Sequence, residues 1–325
     1  MTSISPLARA AACAVAALAL GTAAQAQDAW PSKTITLVVP FGPGSGTDLG
    51  TRILAKELAT HLGVAVIVDN KPGANGAIGA QAVAKAAPDG HTLLVGSGTT
   101  NAVNYAFFPS KLGYKPESFV TVAGMGSSPI GLYVPANSPW NNLADLVAAA
   151  KKTPGKFSCG SGNTVTQVAC AVLKKRAGID AVNAPYKSNP QSLTDLAGGQ
   201  LTYAFSDASA AQTLVDGKKV RTLALATEKR ATAAPNVATF GEQGVADFVF
   251  TGWTAVFAPA GTPAPVVEKL NGFIRRANQS PAAVELRAQS GSSLLDFDVA
   301  ATKRFVDGEV TRWSRYVKDA DVKPE

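Results

Sequence analysis

Three Gly-Ser-Gly tripeptides each close a short apolar run, and residues of these types at these places suit the binding of a small anion. Ile35-Thr-Leu-Val-Val-Pro40 leads into Phe41-Gly-Pro-Gly44-Ser45-Gly46-Thr47-Asp48. Thr92-Leu-Leu-Val95 leads into Gly96-Ser97-Gly98-Thr99-Thr100-Asn101, and Lys156-Phe-Ser-Cys159 into Gly160-Ser161-Gly162-Asn163-Thr164. An apolar run ended by Gly and Ser reads as a buried strand feeding a loop. In an open parallel α/β sheet such loops gather at the carboxyl ends of the strands, where ligands bind. Glycine lets backbone N–H groups approach a ligand closely, serine adds a hydroxyl, and a helix that follows brings its positive end. The donors offered are Gly44, Ser45, Gly46 and Thr47 in the first loop and Ser97, Thr99 and Asn101 in the second. The third offers Ser161, Asn163, Thr164 and Thr166, and Phe41 is the aromatic neighbour of the first.

Other residues have two readings each. Asp48 would repel a dianion, so helix capping or water positioning suits it better than direct contact. Asn75 and Gly76 precede another predicted helix. Lys187 follows a strand and either pairs with a carboxylate or lies on the surface. Asp207 ends a strand, where it accepts a hydrogen bond from a ligand hydroxyl or amine or closes a hinge. Catalytic patterns are missing: there is no G-x-S-x-G elbow, no G-x-G-x-x-G and no P-loop lysine, and neither histidine lies near a candidate nucleophile.

The elements that must position these loops alternate in type. Strands are predicted at 35–40, 64–68 and 92–95, with helices near 47–62 and 77–86 between them, which implies a parallel sheet covered by helices. A second round starts near residue 128, with strands at 130–134, 157–159, 180–186, 201–205 and 220–226. Helices at 143–152, 166–176, 192–197 and 208–216 intervene. Residues 253–258 return the chain, and 264–278, 281–289 and 300–318 read as helices that pack best on the first sheet. The expected fold is a two-lobed α/β architecture, residues 27–128 plus 255–325 forming domain 1 and 129–254 domain 2. Two passages, near Leu132–Val134 and Thr254–Val256, form the hinge of a Venus-flytrap binding protein.

The chain has 325 residues with 30 Lys+Arg and 23 Asp+Glu, a net charge of +7. The basic residues are dispersed without aromatic interleaving, which argues against nucleic acid and leaves a mild field favouring acidic ligands. The N-terminus, with Arg9, an apolar stretch from Ala10 to Leu20 and Ala24-Gln25-Ala26, reads as an export signal cleaved after Ala26. Cleavage leaves enough chain for two domains. Two cysteines then remain, Cys159 at a strand end and Cys170 in the following helix, a pair able to form a disulfide in an oxidising compartment. No metal-ligand spacing appears, and no cofactor is expected.

Seven further stretches carry a family resemblance. Trp30-Pro31 with residues 35–44 and Thr47-Asp48, Val68-Asp-Asn-Lys-Pro-Gly-Ala-Asn-Gly76, and Ala84-Lys-Ala-Ala-Pro-Asp-Gly-His-Thr-Leu-Leu94 resemble the tripartite tricarboxylate transporter substrate-binding proteins, the Bug family. So do Ala184-Pro-Tyr-Lys187, Asp195-Leu-Ala-Gly-Gly-Gln200, Gly252-Trp253 and Phe257-Ala-Pro-Ala-Gly-Thr-Pro263. The resemblance implies a periplasmic, two-lobed receptor that delivers a small carboxylate to membrane transporter subunits, here expected to act as a monomer. It implies that Phe41–Asp48 and Gly160–Thr166 hold the ligand. The sequence departs from the family pattern at Ser45-Gly46 in place of Gly-Gly, at His91 in place of tyrosine, and at Gly162-Asn-Thr-Val-Thr-Gln167 in place of a Gly-Ser-x-x-His loop. A secreted α/β hydrolytic enzyme and a ligand-sensing subunit for a signalling partner are the alternatives. The first would show as turnover, the second as a neighbouring histidine-kinase gene.

Overall fold

The first strand, β1 (Ile35–Val39), is apolar at every position but one, and both its faces are covered. Ile35 and Leu37 face one layer with Leu93 and Val95, whereas Val38 and Leu94 face the other. Continuous apolar runs of this kind are what a parallel strand buried on both sides requires. The computed structural model describes residues 30–319. The expected export signal and its expected cleavage after Ala26 lie outside the described residues.

Strand β1 pairs in parallel with β2 (Val66–Asn70) and β3 (Thr92–Ser97). Helix α1 (Gly46–Leu62) crosses between β1 and β2, and α2 (Ala77–Ala84) between β2 and β3. Ser45 caps α1, its hydroxyl accepting from Asp48 N at 3.2 Å, and Gly63 ends it in the left-handed region at φ 67°. Leu54 and Leu58 of α1 pack with Val267, Leu270 and Ile274 of α8 (Ala264–Ala277), which α9 (Pro281–Ser290) and α10 (Val299–Asp319) follow at the C-terminal end. Helix α8 thus packs on α1, whereas α9 lies against both α1 and the 208–216 helix of the second half.

After β3 the chain makes a π-helical turn, Thr99–Val103, and a short helix α3 (Asn104–Phe107). Strand β4 then runs for 17 residues, Phe119–Pro135, far beyond the predicted 130–134. Its glycines, Ser127-Ser128 and Pro129 hid its first part, because such residues are depleted in strands. Register shifts at Thr121/Ala123 and Gly124/Gly126 accommodate them.

The second half contains α4 (Leu143–Lys152), β5 (Phe157–Ser161), α5 (Thr164–Ala177), β6 (Ala181–Pro185) and α6 (Asn189–Ala197). Strand β7 (Tyr203–Asp207), helix α7 (Ala208–Asp216) and strand β8 (Val220–Leu225) follow, and β9 (Thr251–Pro259) leads back. Strand β5 is parallel to β6 and β7. The sheet order is β2-β1-β3-β9-β4-β7-β5-β6, with β8 and the two-residue β10 (Ser293–Leu294) also pairing β4. Strand β4 therefore belongs to both halves: Phe119–Pro129 pair with β9, and Ile130–Tyr133 with β7. The return passage falls before β9, where Phe250 N donates to Ala226 O at 2.9 Å. Cys159 in β5 and Cys170 in α5 are joined by a disulfide with Cα atoms 6.1 Å apart.

Candidate functional site

The first loop is held by a carboxylate. Asp48 is buried and accepts from Gly44 N at 2.9 Å, Arg52 Nε at 3.0 Å and Asn70 Nδ2 at 2.9 Å. Asn70 also donates to Phe41 O. Burial pushes the Asp48 carboxyl up, but the hydrogen bonds from Arg52, Gly44 and Asn70 outweigh it and hold the group below its ordinary value. Asp48 thus ties residues 41–44 to the end of β2 rather than facing the cavity, and Gly44 at φ 78° makes the turn. Ser45, not Asp48, is the cap of α1. Gly46 and Thr47, at the first turn, have N–H groups that no helical carbonyl can reach.

The second loop rests on a buried polar network. Thr100 Oγ1 accepts from Ser97 N at 3.0 Å and donates to Asn101 Oδ1 at 2.7 Å. Asn104 donates to Asn75 O at 2.9 Å and accepts from Thr164 Oγ1 at 2.7 Å. Gly76, at φ 82°, lies so close to Thr100 that a Cβ would sit 2.7 Å from its methyl group. Asn75, Gly76, Asn101 and Thr164 are therefore parts of a scaffold, and Thr164–Asn104 joins the two halves of the molecule. Ser97 is the exception. It is 7% exposed, and its hydroxyl is buried without a hydrogen-bond partner among the described residues.

In the third loop Asn163 and Thr166 cap α5 reciprocally: Asn163 Oδ1 accepts from Thr166 N at 3.0 Å, and Thr166 Oγ1 accepts from Asn163 N at 3.2 Å. Gly162 N donates to Thr166 Oγ1 and to Asn189 Oδ1, both at 3.1 Å. Ser161 turns away to donate to Asn183 at 3.2 Å. Asn189 in α6 donates to Asp207 Oδ2 at 2.7 Å, and Asp207 caps α7 by accepting from Ala210 N at 2.9 Å and Ser209 Oγ at 2.8 Å.

These loops surround one cavity of about 140 Å³. Of the predicted residues, Phe41, Ser45, Gly46, Thr47, Ser97, Thr99, Asn163 and Asp207 line it. Asp48, Asn75, Gly76, Asn101, Ser161, Thr164 and Thr166 lie outside this lining, and Gly44 and Lys187 are exposed and do not line it either. Asn189 and Ser209 add two more helix starts, so the first turns of α1, α5, α6 and α7 converge. Each helix start carries a partial positive charge of about half a unit. The lobes are in contact here: a Cβ at Gly46 would lie 2.3 Å from Ser209 Oγ and 2.5 Å from Asp207 Oδ1.

Apart from Trp253, which reads from sequence as a ligand-stacking residue or a buried hinge aromatic, sequence reasoning missed a second set of lining residues. Met125, Ser127 and Ser128 come from β4, Trp253 and Thr254 from β9, and Ala283, Leu286 and Arg287 from α9. Trp253 is fixed from behind, its indole N–H donating to the buried carboxylate of Glu309 in α10 at 2.8 Å. Glu309 also accepts from Trp313 Nε1 at 3.2 Å. Burial raises the Glu309 carboxyl above its ordinary value, although Arg312 and the two indoles oppose that rise.

Residues 51–322 match the family described as tripartite tricarboxylate transporter family receptor. The chain belongs to this family. Its members are substrate-binding receptors rather than enzymes, and the receptor described here has their periplasmic-binding-protein fold. It is 33% identical over 300 residues to the protein BugT of Bordetella pertussis, covering 91% of this chain and 92% of BugT. Among solved structures, a protein of R. palustris with adipate superposes with a TM-score of 0.87 at 29% identity, covering 91% of this receptor and all of that chain. MatC from Rhodopseudomonas palustris, solved with bound malate, gives a TM-score of 0.84 at 30% identity, covering 89% and 100%.

Proposed function

We propose that this receptor captures a small carboxylate, most naturally a dicarboxylate, between its two lobes and delivers it to the membrane subunits of a tripartite tricarboxylate-type transporter. The observation that carries this reading is the convergence of four helix N-termini, with the unpartnered Ser97 hydroxyl, on one cavity. Backbone N–H groups and hydroxyls arranged in this way stabilise a carboxylate without a counter-cation. The adipate and malate bound to two structural relatives support the ligand class. Domain 1 would comprise the β1–β3, β9 side with the C-terminal helices, and domain 2 the β5–β8 side, the two closing on the ligand as the β4 and 226–251 passages flex. On this reading the chain is exported, cleaved after Ala26, and acts in the periplasm as a monomer.

Closure requires that both lobes touch the anion, because a ligand shifts the equilibrium only by its differential affinity for the two states. The test is calorimetric titration of the mature protein with diacids and with the corresponding diamides. Acids should bind and amides should not. Equal affinity for both would refute anion recognition. Delivery is tested separately, by uptake in cells with and without the receptor gene.

A further inference from the structure

The cavity does not stop at the cleft. It continues between α1, β4 and α9, where Gly50, Ile53, Met125 and Leu286 form apolar walls. Along α1 alone the lining runs from Gly46 to Ile53, which at 1.5 Å per residue is about 10 Å. Arg287 of α9 lies on this extension.

Arg287 is half-buried, and its guanidinium donates to the neutral carbonyl of Asn278 at 2.7 Å. Among the described residues no carboxylate pairs with it. Burial lowers its affinity for the proton, in keeping with a cation stripped of part of its water and given no counter-ion. A guanidinium remains protonated at neutral pH all the same. The carboxylate lining the same cavity, Asp207, belongs to the cleft end and is engaged by Asn189, Ser209 and Ala210. Ser290 Oγ donates to Leu286 O and meets Ser292 Oγ at 2.7 Å, and both serines line the cavity together with Arg287.

We propose that Arg287 forms a second anion subsite at the far end of the cavity, so that the receptor selects elongated diacids with a carboxylate at each end of an apolar spacer. This rests on the carboxylate reading of the cleft and specifies it. The helix starts would hold the proximal carboxylate, the apolar walls the methylene chain, and Arg287 the distal carboxylate as a bidentate pair. A four-carbon diacid is too short to span both ends.

Titration of the mature protein with adipate, succinate, hexanoate and monomethyl adipate tests this. Wild type should bind adipate at least about tenfold more tightly than hexanoate or monomethyl adipate. Arg287→Met should bring the adipate-to-hexanoate ratio close to one, and Arg287→Lys should restore part of it. A wild-type protein that binds adipate and its monoester equally overturns the subsite, as does an Arg287→Met variant that keeps the full ratio. In both cases the cleft reading stands. If neither adipate, succinate nor hexanoate binds wild type, the carboxylate reading fails and the subsite with it. The monoester comparison needs no variant, so the proposal stays decidable even if Arg287→Met does not fold.

Discussion

Gly46→Ala places a methyl group where the two lobes meet. Its Cβ would lie 2.3 Å from Ser209 Oγ and 2.5 Å from Asp207 Oδ1, so the Asp207 carboxylate must withdraw from the closed arrangement. Withdrawal disrupts the bonds that Oδ1 accepts from Ser209 Oγ and Ala210 N. Hydrogen bonds to a charged group are worth about 1.5–3 kcal/mol each, so even partial loss of the two costs about 3 kcal/mol. Such a cost in the closed state lowers ligand affinity roughly a hundredfold. The open state has no such clash, and alanine is the better helix residue by up to about 1 kcal/mol. Stability of the unliganded protein should therefore hold or rise slightly. Calorimetric titration gives the affinity, and urea unfolding without ligand gives the stability. Affinity within about threefold of wild type, combined with a stability loss of about 3 kcal/mol, would refute the reasoning. That result would mean the lobes stay in contact whether or not ligand is bound.

Three further outcomes are expected. Replacing Cys159 and Cys170 by alanine opens a loop with a sequence separation of 11 and should cost about 3 kcal/mol in urea unfolding, and a loss below about 1 kcal/mol would contradict it. Asp48 titrates below its ordinary 3.8 in the folded protein, so its contribution is complete above that value and drains away as pH falls through the lowered one. Asp48→Asn should therefore flatten the acid limb of the stability profile and weaken ligand binding, because the first loop loses its tie. Glu309 has the opposite sign: its carboxyl is raised above 4.5, so the stability it confers is complete below 4.5 and falls as pH rises through the raised value. Glu309→Gln should remove that slope in denaturation profiles taken between about pH 4 and 7, and an unaltered slope would exclude Glu309 as its source.

The cleft end of the site was legible because its residues announce themselves locally. Glycine, serine, asparagine and aspartate at strand ends are also the residues that cap helices, so Ser45, Asn163 and Asp207 could be found without a structure. What sequence pattern does not separate is a polar group facing the cavity from one turned back to hold the loop. Asn101, Ser161 and Thr166 sit in the same setting as Ser97, yet their hydrogen bonds are internal whereas its hydroxyl has no partner among the described residues. The far end was invisible for a different reason. Ala283, Leu286, Arg287 and Ser290 do share one helix face by spacing, but a single arginine on such a face reads as a solvated charge until β4 and α1 are known to lie against it. Strand β4 was half missed because its glycines and Pro129 obey the rules for loops while tertiary pairing with β9 makes them a strand.

Pro129 marks the point at which β4 leaves β9 and takes up β7. Proline has no N–H, so the ladder carries no donor at the residue where β4 changes partner. One 17-residue backbone thus carries two ladders in series, and both halves of the sheet share a single covalent spine.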